Sequence, residues 1–324
     1  MGETMEFCQT VPRTWVHRAA VAEVLLTSAV EAGEDVFTIA GQLPRYHAFY
    51  GESREPRSEY DPVLLLEASR QACILIAHRF CSVSTGERFV MRDLELTVTD
   101  RRGLALRPAP SDFVLRCRIL RRFRGRTGLS GLRVACTAKV DGVETTVAQF
   151  TFSWVSAEKW ASMRAANRSE LGLPAVPSLC AQPPRLAAHR VDRREPFNVV
   201  ISPLKVDGGG AVATEVVVDT AHPVLFDHPL DHLPGMLQLE AFRQLAIAAV
   251  GANRITGFAM RFLGFGEFDL ANECEAAVEV DDDGPLVRGV LTQGERRIAE
   301  ARLRFDKQGA PVVVVAAGAM AVPR

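Results

Sequence analysis

The segment Glu67–Ala72, which reads EASRQA, recurs about half a chain later as Glu240–Leu245, which reads EAFRQL. The flanking segments recur in the same order. A histidine precedes each copy, and a strand-like run follows each, FVMRDL from Phe89 and FAMRFL from Phe258. Self-similarity that keeps its order over a long period is typical of duplicated structural units. The sequence therefore predicts two tandem copies of one small fold.

Each copy has the same order of predicted elements. Two strand-like segments joined by a short turn come first, a helix with apolar spacing follows, and further strand-like segments close the copy. In the first copy, Asp61 and Pro62 suit the N-cap and the first position of the helix, and in the second Pro234 and Gly235 precede the apolar run. One long helix wrapped by an antiparallel sheet is the hot-dog architecture. We therefore predict an α+β fold with two tandem hot-dog domains.

The predicted domain boundaries follow the composition. Residues 1–156 are assigned to an N-terminal hot-dog domain and residues 196–324 to a C-terminal one. Residues 157–195 contain a short helical pattern and then several prolines, which is typical of a linker. The glycines in Asp207–Gly210 could indicate a phosphate-binding loop, but no helix that starts with GK[ST] follows them, so we interpret this segment as a hairpin turn.

The composition is that of a globular protein, with 324 residues of which 48% are hydrophobic and 24% are charged. No apolar run approaches the roughly 18–20 residues of a membrane span, and no signal peptide is recognised at the N-terminus. The formal net charge of -1 gives no indication of a nucleic-acid partner. The seven cysteines lack the spacing of a metal site or a disulfide framework. We expect a cytoplasmic protein without a metal or a cofactor.

The repeated helices carry the residues suited to chemistry. Glu67 and Arg70 are three positions apart, as are Glu240 and Arg243, so each pair shares one face of its helix. Such a pair is usually a solvent-exposed ion pair, but both pairs stand among apolar residues. A buried carboxylate needs a partner and can acquire the shifted pKa that acid–base chemistry requires. These four residues are our first candidates for catalysis.

The loops before the helices supply further candidates. His47 and His228 precede their helices at what we take to be corresponding positions, and we predict that each faces the carboxylate of its own copy. His232 lies in the same loop as His228 and remains an alternative. Gly235 and Met236 open the second helix, where free backbone N–H groups can bind a thioester carbonyl or its oxyanion. The other histidines are interpreted as structural: His17, His78, His189 and His222.

Two family resemblances accompany these motifs. The segment Phe226–Ala241 resembles the signature of bacterial 3-hydroxyacyl-ACP dehydratases, although its His-to-Glu spacing is shorter and Arg243 and Gln244 follow the glutamate. A resemblance that covers nearly the whole chain is to the A-factor biosynthesis (AfsA) family, which makes γ-butyrolactone-type signalling molecules in actinomycetes. The segments that carry it are Val16–Arg18, Glu23–Thr27, Pro44–Tyr50, Asp61–Gln71 and the DHP, PGM and EAFRQ motifs between Asp227 and Gln244.

The AfsA resemblance implies an acyltransferase. In that reaction a β-ketoacyl group passes from acyl carrier protein to the hydroxyl of dihydroxyacetone phosphate, and the ester then closes to a butenolide phosphate. Glu240 or Glu67 would act as the base, and Arg243 and Arg70 would bind phosphate or the β-keto oxygens. The sequence leaves the active copy open, with a preference for the C-terminal one. The predicted substrate-binding residues are Arg45, Gln71, Gly235, Met236 and Gln244.

Other interpretations remain open from the sequence. A hot-dog dehydratase or thioesterase would act on acyl thioesters without a phosphorylated acceptor, and a non-catalytic regulator would bind an acyl ligand without turnover. The oligomeric state is also open. A basic stretch is either a solvated strand edge or a docking surface for acidic acyl carrier protein. It comprises Arg116, Arg118, Arg121, Arg122, Arg124 and Arg126.

Overall fold

The computed structural model describes residues 5–54, 58–126, 128–206 and 211–307. These residues form two compact units. The first extends through Ala175, and the second begins at Val176 and also includes Ser53 and Arg54. No helix in the described part of the chain has the length and apolar character needed to cross a membrane. The predicted turn Asp207–Gly210 lies outside the described residues.

The first unit contains six antiparallel strands and a central helix. The sheet has the order β1-β2-β4-β5-β6-β3. Short 3-10 turns at Arg13–Val16 and Val21–Glu23 precede β1, so the first strand begins later than the sequence pattern indicated. The elements are β1 Leu26–Gly33, β2 Val36–Leu43, α1 Pro62–Leu75, β3 Arg88–Val98, β4 Ser111–Gly125, β5 Gly128–Val140, β6 Val143–Val155 and the following helix α2 Ala157–Glu170.

The second unit repeats this topology. Its strands follow the order β7-β8-β10-β11-β12-β9, which is the same arrangement with every strand number increased by six. Short 3-10 turns at Ala188–Val191 and Pro196–Asn198 precede β7, as in the first unit. The elements are β7 Lys205–Val206, β8 Val212–Glu215, α3 Gly235–Val250, β9 Ile255–Phe262, β10 Glu273–Asp281, β11 Gly284–Gln293 and β12 Arg296–Phe305. The matching topology confirms the duplicated hot-dog fold.

The central helices are enclosed by protein. Every residue of α1 except Arg70 is buried, and α3 is buried from Leu237 to its end at Val250. A helix that is buried on all sides is expected where a sheet wraps around it. The Asp61 side chain accepts a hydrogen bond from the N–H of Val63 at 3.0 Å, which confirms the predicted N-cap of α1. Polar groups on these helices therefore need partners inside the protein.

The predicted linker is not a separate segment. Helix α2 belongs to the first unit, and the chain from Val176 belongs to the second. The sequence favoured a linker because prolines interrupt regular secondary structure. This stretch nevertheless packs against its own unit. The Cys180 N–H donates to the carbonyl of Phe268 at 2.9 Å, and the Leu186 N–H donates to the carbonyl of Ile201 at 2.8 Å. The second repeat therefore begins before residue 196.

Candidate active site

In the first repeat, the Glu67 carboxylate is at the centre of a buried ion cluster. Its side chain is 1% exposed. Arg70 donates from Nε to Oε2 at 2.7 Å and from Nη2 to Oε1 at 2.8 Å, and Arg18 Nη2 lies 2.5 Å from Oε1. Burial alone would raise the pKa of this carboxyl, but the two guanidinium groups outweigh burial and lower the pKa to about 2. The predicted Glu67–Arg70 pair is present, with a third member that the sequence did not indicate.

Gln71 connects this cluster to the main chain of the preceding segment. Its Nε2 donates to Glu67 Oε1 at 2.9 Å and to the carbonyl of Glu23 at 2.8 Å. Its Oε1 accepts the N–H of Leu25 at 3.0 Å. The Gln71 side chain therefore positions Glu67 against the segment that carries Arg18. Contact between Gln71 and a substrate remains a prediction.

The second repeat contains the corresponding cluster around Glu240. Arg193 Nη2 donates to Glu240 Oε1 at 2.6 Å, and both side chains are at most 2% exposed. Gln244 Nε2 donates to the same oxygen at 2.7 Å and to the carbonyl of Asn198 at 2.7 Å, and its Oε1 accepts the N–H of Val200 at 2.9 Å. The main-chain partners of Gln244 are equivalent to those of Gln71: a carbonyl from Asn198 or Glu23 and an N–H from Val200 or Leu25. The two glutamates therefore occupy equivalent positions.

The two clusters differ at the second carboxylate oxygen. In the first repeat, Arg70 binds both oxygens of Glu67 through two nitrogens. In the second, Arg243 Nη1 lies 3.5 Å from Glu240 Oε2, which is too far for a strong hydrogen bond. Within the described residues, the buried Oε2 of Glu240 has no hydrogen-bond partner. The helical Glu–Arg pairs are therefore equivalent in sequence but not in geometry.

Arg18 and Arg193 are the site residues that the sequence analysis missed. Each follows a residue in the left-handed backbone region, His17 with φ 52° and Asp192 with φ 54°, at the end of a 3-10 turn. The signal was available because VHR at Val16–Arg18 has a counterpart in VDR at Val191–Arg193. The second of these segments falls in the predicted linker, 157–195, which conceals the correspondence in the sequence.

The predicted correspondence between His47 and His228 is wrong. His47 Nδ1 accepts the N–H groups of Phe49 and Tyr50 at 3.1 and 3.2 Å. His222 Nδ1 accepts the N–H groups two and three residues later in the same way, at 3.2 and 3.1 Å. His222 is therefore the counterpart of His47. The sequence favoured His228 because it precedes its helix at a place that looks equivalent to His47, but the hydrogen-bond pattern identifies the earlier histidine.

These two histidines also contact equivalent positions with their other ring nitrogen. His47 Nε2 lies 3.3 Å from Glu23 Oε2, and His222 Nε2 lies 2.9 Å from Asn198 Oδ1. Burial is the largest influence on His222 and lowers its pKa to about 4, so that this imidazole is neutral at pH 7. Both rings fix the loop that leads to the helix. A catalytic role for His47 remains a prediction.

The loop before α3 carries two histidine–aspartate pairs. His228 Nδ1 lies 3.5 Å from Asp227 Oδ2, and the His228 side chain is 45% exposed. His232 Nδ1 lies 2.7 Å from Asp231 Oδ1, and its ring meets Phe265 edge-on with the centroids 5.3 Å apart. His232 thus has the shorter contact to its aspartate and, with a side chain that is 17% exposed, is the more enclosed histidine of this loop. Both remain candidates for contact with substrate.

The start of α3 has the features of an anion or oxyanion site. Pro234 is the N-cap residue and supplies no side-chain hydrogen bond to the first turn. The N–H groups of Gly235 and Met236 have no acceptor within the helix, because the first helical N–H groups never do. A Cβ on Gly235 would lie 3.1 Å from the ring of Phe262, so glycine allows this close approach. The predicted roles of Gly235 and Met236 are compatible with this geometry.

The first repeat also has a small cleft of about 20 Å³ near the start of α1. Arg45, His47 and Tyr50 line one part of it, and Glu59 and Asp61 line another. Arg101 Nη2 lies 2.5 Å from Glu59 Oε2, so the charge of that carboxylate is balanced by an ion pair. The predicted residues Arg45 and His47 are therefore brought together in one cleft. In the described part of the chain, no cluster of three or more histidine, cysteine, aspartate or glutamate side chains is arranged to hold a metal ion.

Comparison with known proteins identifies similar chains. A family model described as the A-factor biosynthesis hotdog domain matches residues 3–156 and 179–307. A protein of Streptomyces virginiae named 2-oxo-3-(phosphooxy)propyl 3-oxoalkanoate synthase is 36% identical over 240 residues, which is 74% of this chain and 76% of that protein. Proteins of the same name from Streptomyces coelicolor and Streptomyces griseus are 32% and 28% identical, covering 80% and 89% of this chain and 79% and 93% of their own.

Proposed function

Because the chain belongs to the A-factor biosynthesis (AfsA) hotdog family, we propose that it is a synthase that transfers a 3-oxoacyl group to dihydroxyacetone phosphate. The product would be the 2-oxo-3-(phosphooxy)propyl 3-oxoalkanoate for which its relatives are named. The observation that carries the proposal is the match to relatives of that name over most of both chains, including one at 36% identity. The product would be a precursor of a γ-butyrolactone-type signalling molecule.

The proposed step transfers an acyl group from the sulfur of a thioester to a hydroxyl oxygen. The hydroxyl oxygen of dihydroxyacetone phosphate forms a bond to the thioester carbonyl carbon, and the carbon–sulfur bond breaks. The hydroxyl proton passes to a carboxylate base and then to the departing thiolate, so that no other reactant is consumed. The N–H groups of Gly235 and Met236 would stabilise the oxyanion that develops on the carbonyl.

The buried glutamates are the two candidates for the base. Glu240 and Glu67 occupy equivalent positions on α3 and α1, and each is aligned by a glutamine and an arginine. Arg243 would bind the phosphate or the β-keto oxygens, which suit the planar fork of arginine. Arg70 is bonded to both oxygens of Glu67, so binding of a substrate anion by Arg70 would compete with that pair.

Product analysis tests the proposed function. The protein is incubated with a 3-oxoacyl thioester and dihydroxyacetone phosphate, and the products are identified by mass spectrometry. We expect the phosphorylated ester or its butenolide, formed only when the acceptor is present. Release of the free 3-oxo acid regardless of acceptor would indicate a thioesterase, and loss of water from a 3-hydroxyacyl thioester would indicate a dehydratase. Tight acyl-thioester binding without turnover would indicate a regulator.

We further propose that the acyl donor is carried by an acidic acyl carrier protein that binds strand β4. Arg116 and Arg118 are exposed, and the residues between and beyond them, Cys117 and Ile119, point into the core. Neither arginine faces an acidic side chain across the ladder: Arg116 pairs with Thr38 and Thr137, and Arg118 with Val36 and Ala135.

The neighbouring positions strengthen the positive charge of this face. Arg121 lies directly opposite Arg133 in the β4–β5 ladder, where like charges are unfavourable unless an anion is bound. Arg122 differs, because it forms an ion pair with Asp35. The basic stretch predicted from the sequence is thus divided between an exposed arginine face and an arginine with an intramolecular partner.

Charge reversal on β4 should weaken the use of a protein-bound donor. The R116E/R118E variant is expected to raise the KM for the carrier-bound 3-oxoacyl substrate by about 10-fold, because complementary charge mainly governs the encounter of the partners. The KM for a short pantetheine thioester should not change. The matched control K205E/R302E reverses two exposed charges on β7 and β12 of the second repeat, whose cross-strand partners are alanine or arginine residues, and should behave like wild type. Equal KM values for both donors in R116E/R118E would refute this docking surface.

A further inference from the structure

We infer that the two repeats have taken different tasks, with Glu240 as the catalytic carboxylate and Glu67 as the centre of a closed ion cluster that holds the first repeat together. The inference deepens the proposed function and rests on it for the catalytic half. It is drawn from the different use of the carboxylate oxygens in two sites that otherwise share their helix, their glutamine and their upstream arginine.

Both oxygens of Glu67 are engaged by donors of its own cluster. Its Oε1 is within bonding distance of Arg18 Nη2, Arg70 Nη2 and Gln71 Nε2, at 2.5, 2.8 and 2.9 Å. Its Oε2 accepts from Arg70 Nε at 2.7 Å. Four donors on two oxygens, with two of the donor groups cationic, remove most of the basicity of a carboxylate. A group in this state is a weak proton acceptor, so a hydroxyl bound beside it would not be activated.

Glu240 has one oxygen fixed and one available. Arg193 and Gln244 both donate to Oε1, at 2.6 and 2.7 Å, and these contacts orient the carboxylate. Within the described residues, Oε2 is buried and accepts no hydrogen bond. A buried acceptor without a hydrogen bond costs stability and is rare in native proteins, which favours a functional reason for it. A substrate hydroxyl that donates to Oε2 would supply the missing hydrogen bond and would be placed for proton transfer.

The contrast is local rather than a general distortion of the second repeat. Gln71 and Gln244 make the same two main-chain contacts, with the carbonyl of Glu23 or Asn198 and with the N–H of Leu25 or Val200. The histidine loops are also equivalent. Among the contacts to the two carboxylates, the difference lies in the helical arginine, since Arg70 is bidentate on its glutamate and Arg243 is not. The open oxygen is therefore a property of the Glu240 site itself.

Paired apolar substitutions separate the two tasks. The R18M/E67L variant removes the glutamate together with its upstream arginine, and R193M/E240L does the same in the second repeat, so that no carboxylate is left buried without that partner; the helical arginines Arg70 and Arg243 stay in place. We expect R18M/E67L to retain turnover within about 10-fold of wild type and R193M/E240L to lose at least about 100-fold while remaining folded. A folded R18M/E67L that loses as much activity as R193M/E240L would overturn the inference, as would an active R193M/E240L.

A second measurement on the same variant needs no substrate. The pKa of Glu67 is about 2 in the folded protein against a usual 4.5, so its contribution to stability is complete above pH 4.5 and is lost as the pH falls toward 2. When the pH is lowered from 4.5 to 2, the unfolding equilibrium constant of wild type should increase by a factor on the order of 100 larger than that of R18M/E67L. Trp15, Trp154 and Trp160 are the only tryptophans, and all belong to the first unit, so their fluorescence reports its unfolding.

The activity measurement and the acid-unfolding measurement test the proposed function and the closed cluster separately. A wild-type protein without turnover would contradict the proposed function, while the acid limb of the tryptophan transition would still test the closed cluster at Glu67. Identical acid limbs in wild type and R18M/E67L would show that Glu67 is not held ionised by its arginines. If R18M/E67L does not fold, R18Q/E67Q retains hydrogen-bonding groups at both positions and is subject to the same expectations.

Discussion

The Glu240→Gln variant is expected to lose about 10²- to 10⁴-fold in kcat for the transfer of a 3-oxoacyl group to dihydroxyacetone phosphate, the usual contribution of a positioned acid or base. Glutamine retains an oxygen that can accept from Arg193 and Gln244, so the side chain should keep its place on α3. What is lost is the proton acceptor at Oε2. The KM for dihydroxyacetone phosphate should rise less than kcat falls, because one lost hydrogen bond costs about 1 kcal/mol of binding and proton transfer is made only in the transition state.

A matched control distinguishes this loss from a general effect of removing a negative charge. Glu300 on β12 is partly exposed and binds Arg297 at 2.9 Å on the surface of the same repeat. The Glu300→Gln variant should have wild-type kcat, since a surface ion pair contributes little. Steady-state kinetics of both variants, together with their melting temperatures, provide the comparison. Wild-type turnover in Glu240→Gln would exclude the carboxylate as the base.

The Arg193→Met variant should be the most destabilised single substitution in the second repeat. Arg193 and Glu240 are both almost fully buried, and removing Arg193 leaves the Glu240 carboxylate with only the longer 3.5 Å contact to Arg243 as an ion pair. Breaking such a pair typically costs about 3–5 kcal/mol of the free energy of unfolding. Denaturation followed by circular dichroism measures this loss. The neighbouring Arg194 is exposed, so Arg194→Met should stay within about 0.5 kcal/mol of wild type.

The paired variant R193M/E240L separates the stability of this cluster from its chemistry. Removing both charges together should recover part of the stability that Arg193→Met loses, because the carboxylate is no longer buried without Arg193, although the guanidinium of Arg243 stays buried. It should not recover activity, because the carboxylate is absent. If Arg193→Met were as stable as Arg194→Met, the buried ion pair would not be the organising contact of this site.

Much of the fold could be predicted from the sequence because its signals are local and repeated. The apolar spacing around Glu67 and Glu240 identifies two helices, and Asp61 identifies the start of the first. The closing strands have regular alternation, as in β10 to β12. The start of the second repeat was harder to place. Its first residues are held by 3-10 turns and isolated contacts rather than by a long strand, and such segments leave no periodic pattern.

The parts of the site that depend on distant residues could not be predicted. Arg193 is 47 residues from Glu240 in the chain, and only the folded structure brings them together. The histidine correspondence failed for a similar reason, because the hydrogen bonds of His222 to the following N–H groups define its position and spacing to the helix does not. Arg70 and Arg243 occupy the same position of the shared EAxRQ motif and differ in how each contacts its glutamate. No sequence pattern specifies this difference.

The most direct test of the central claim is an isotope measurement on the acceptor. The protein is supplied with a 3-oxoacyl thioester and with dihydroxyacetone phosphate labelled with ¹⁸O in its free hydroxyl, and the product is analysed by mass spectrometry. If that hydroxyl attacks the thioester, the label becomes the ester oxygen and is retained in the phosphorylated product. Free 3-oxo acid as the only acyl product, or a phosphorylated ester without ¹⁸O, would contradict the account.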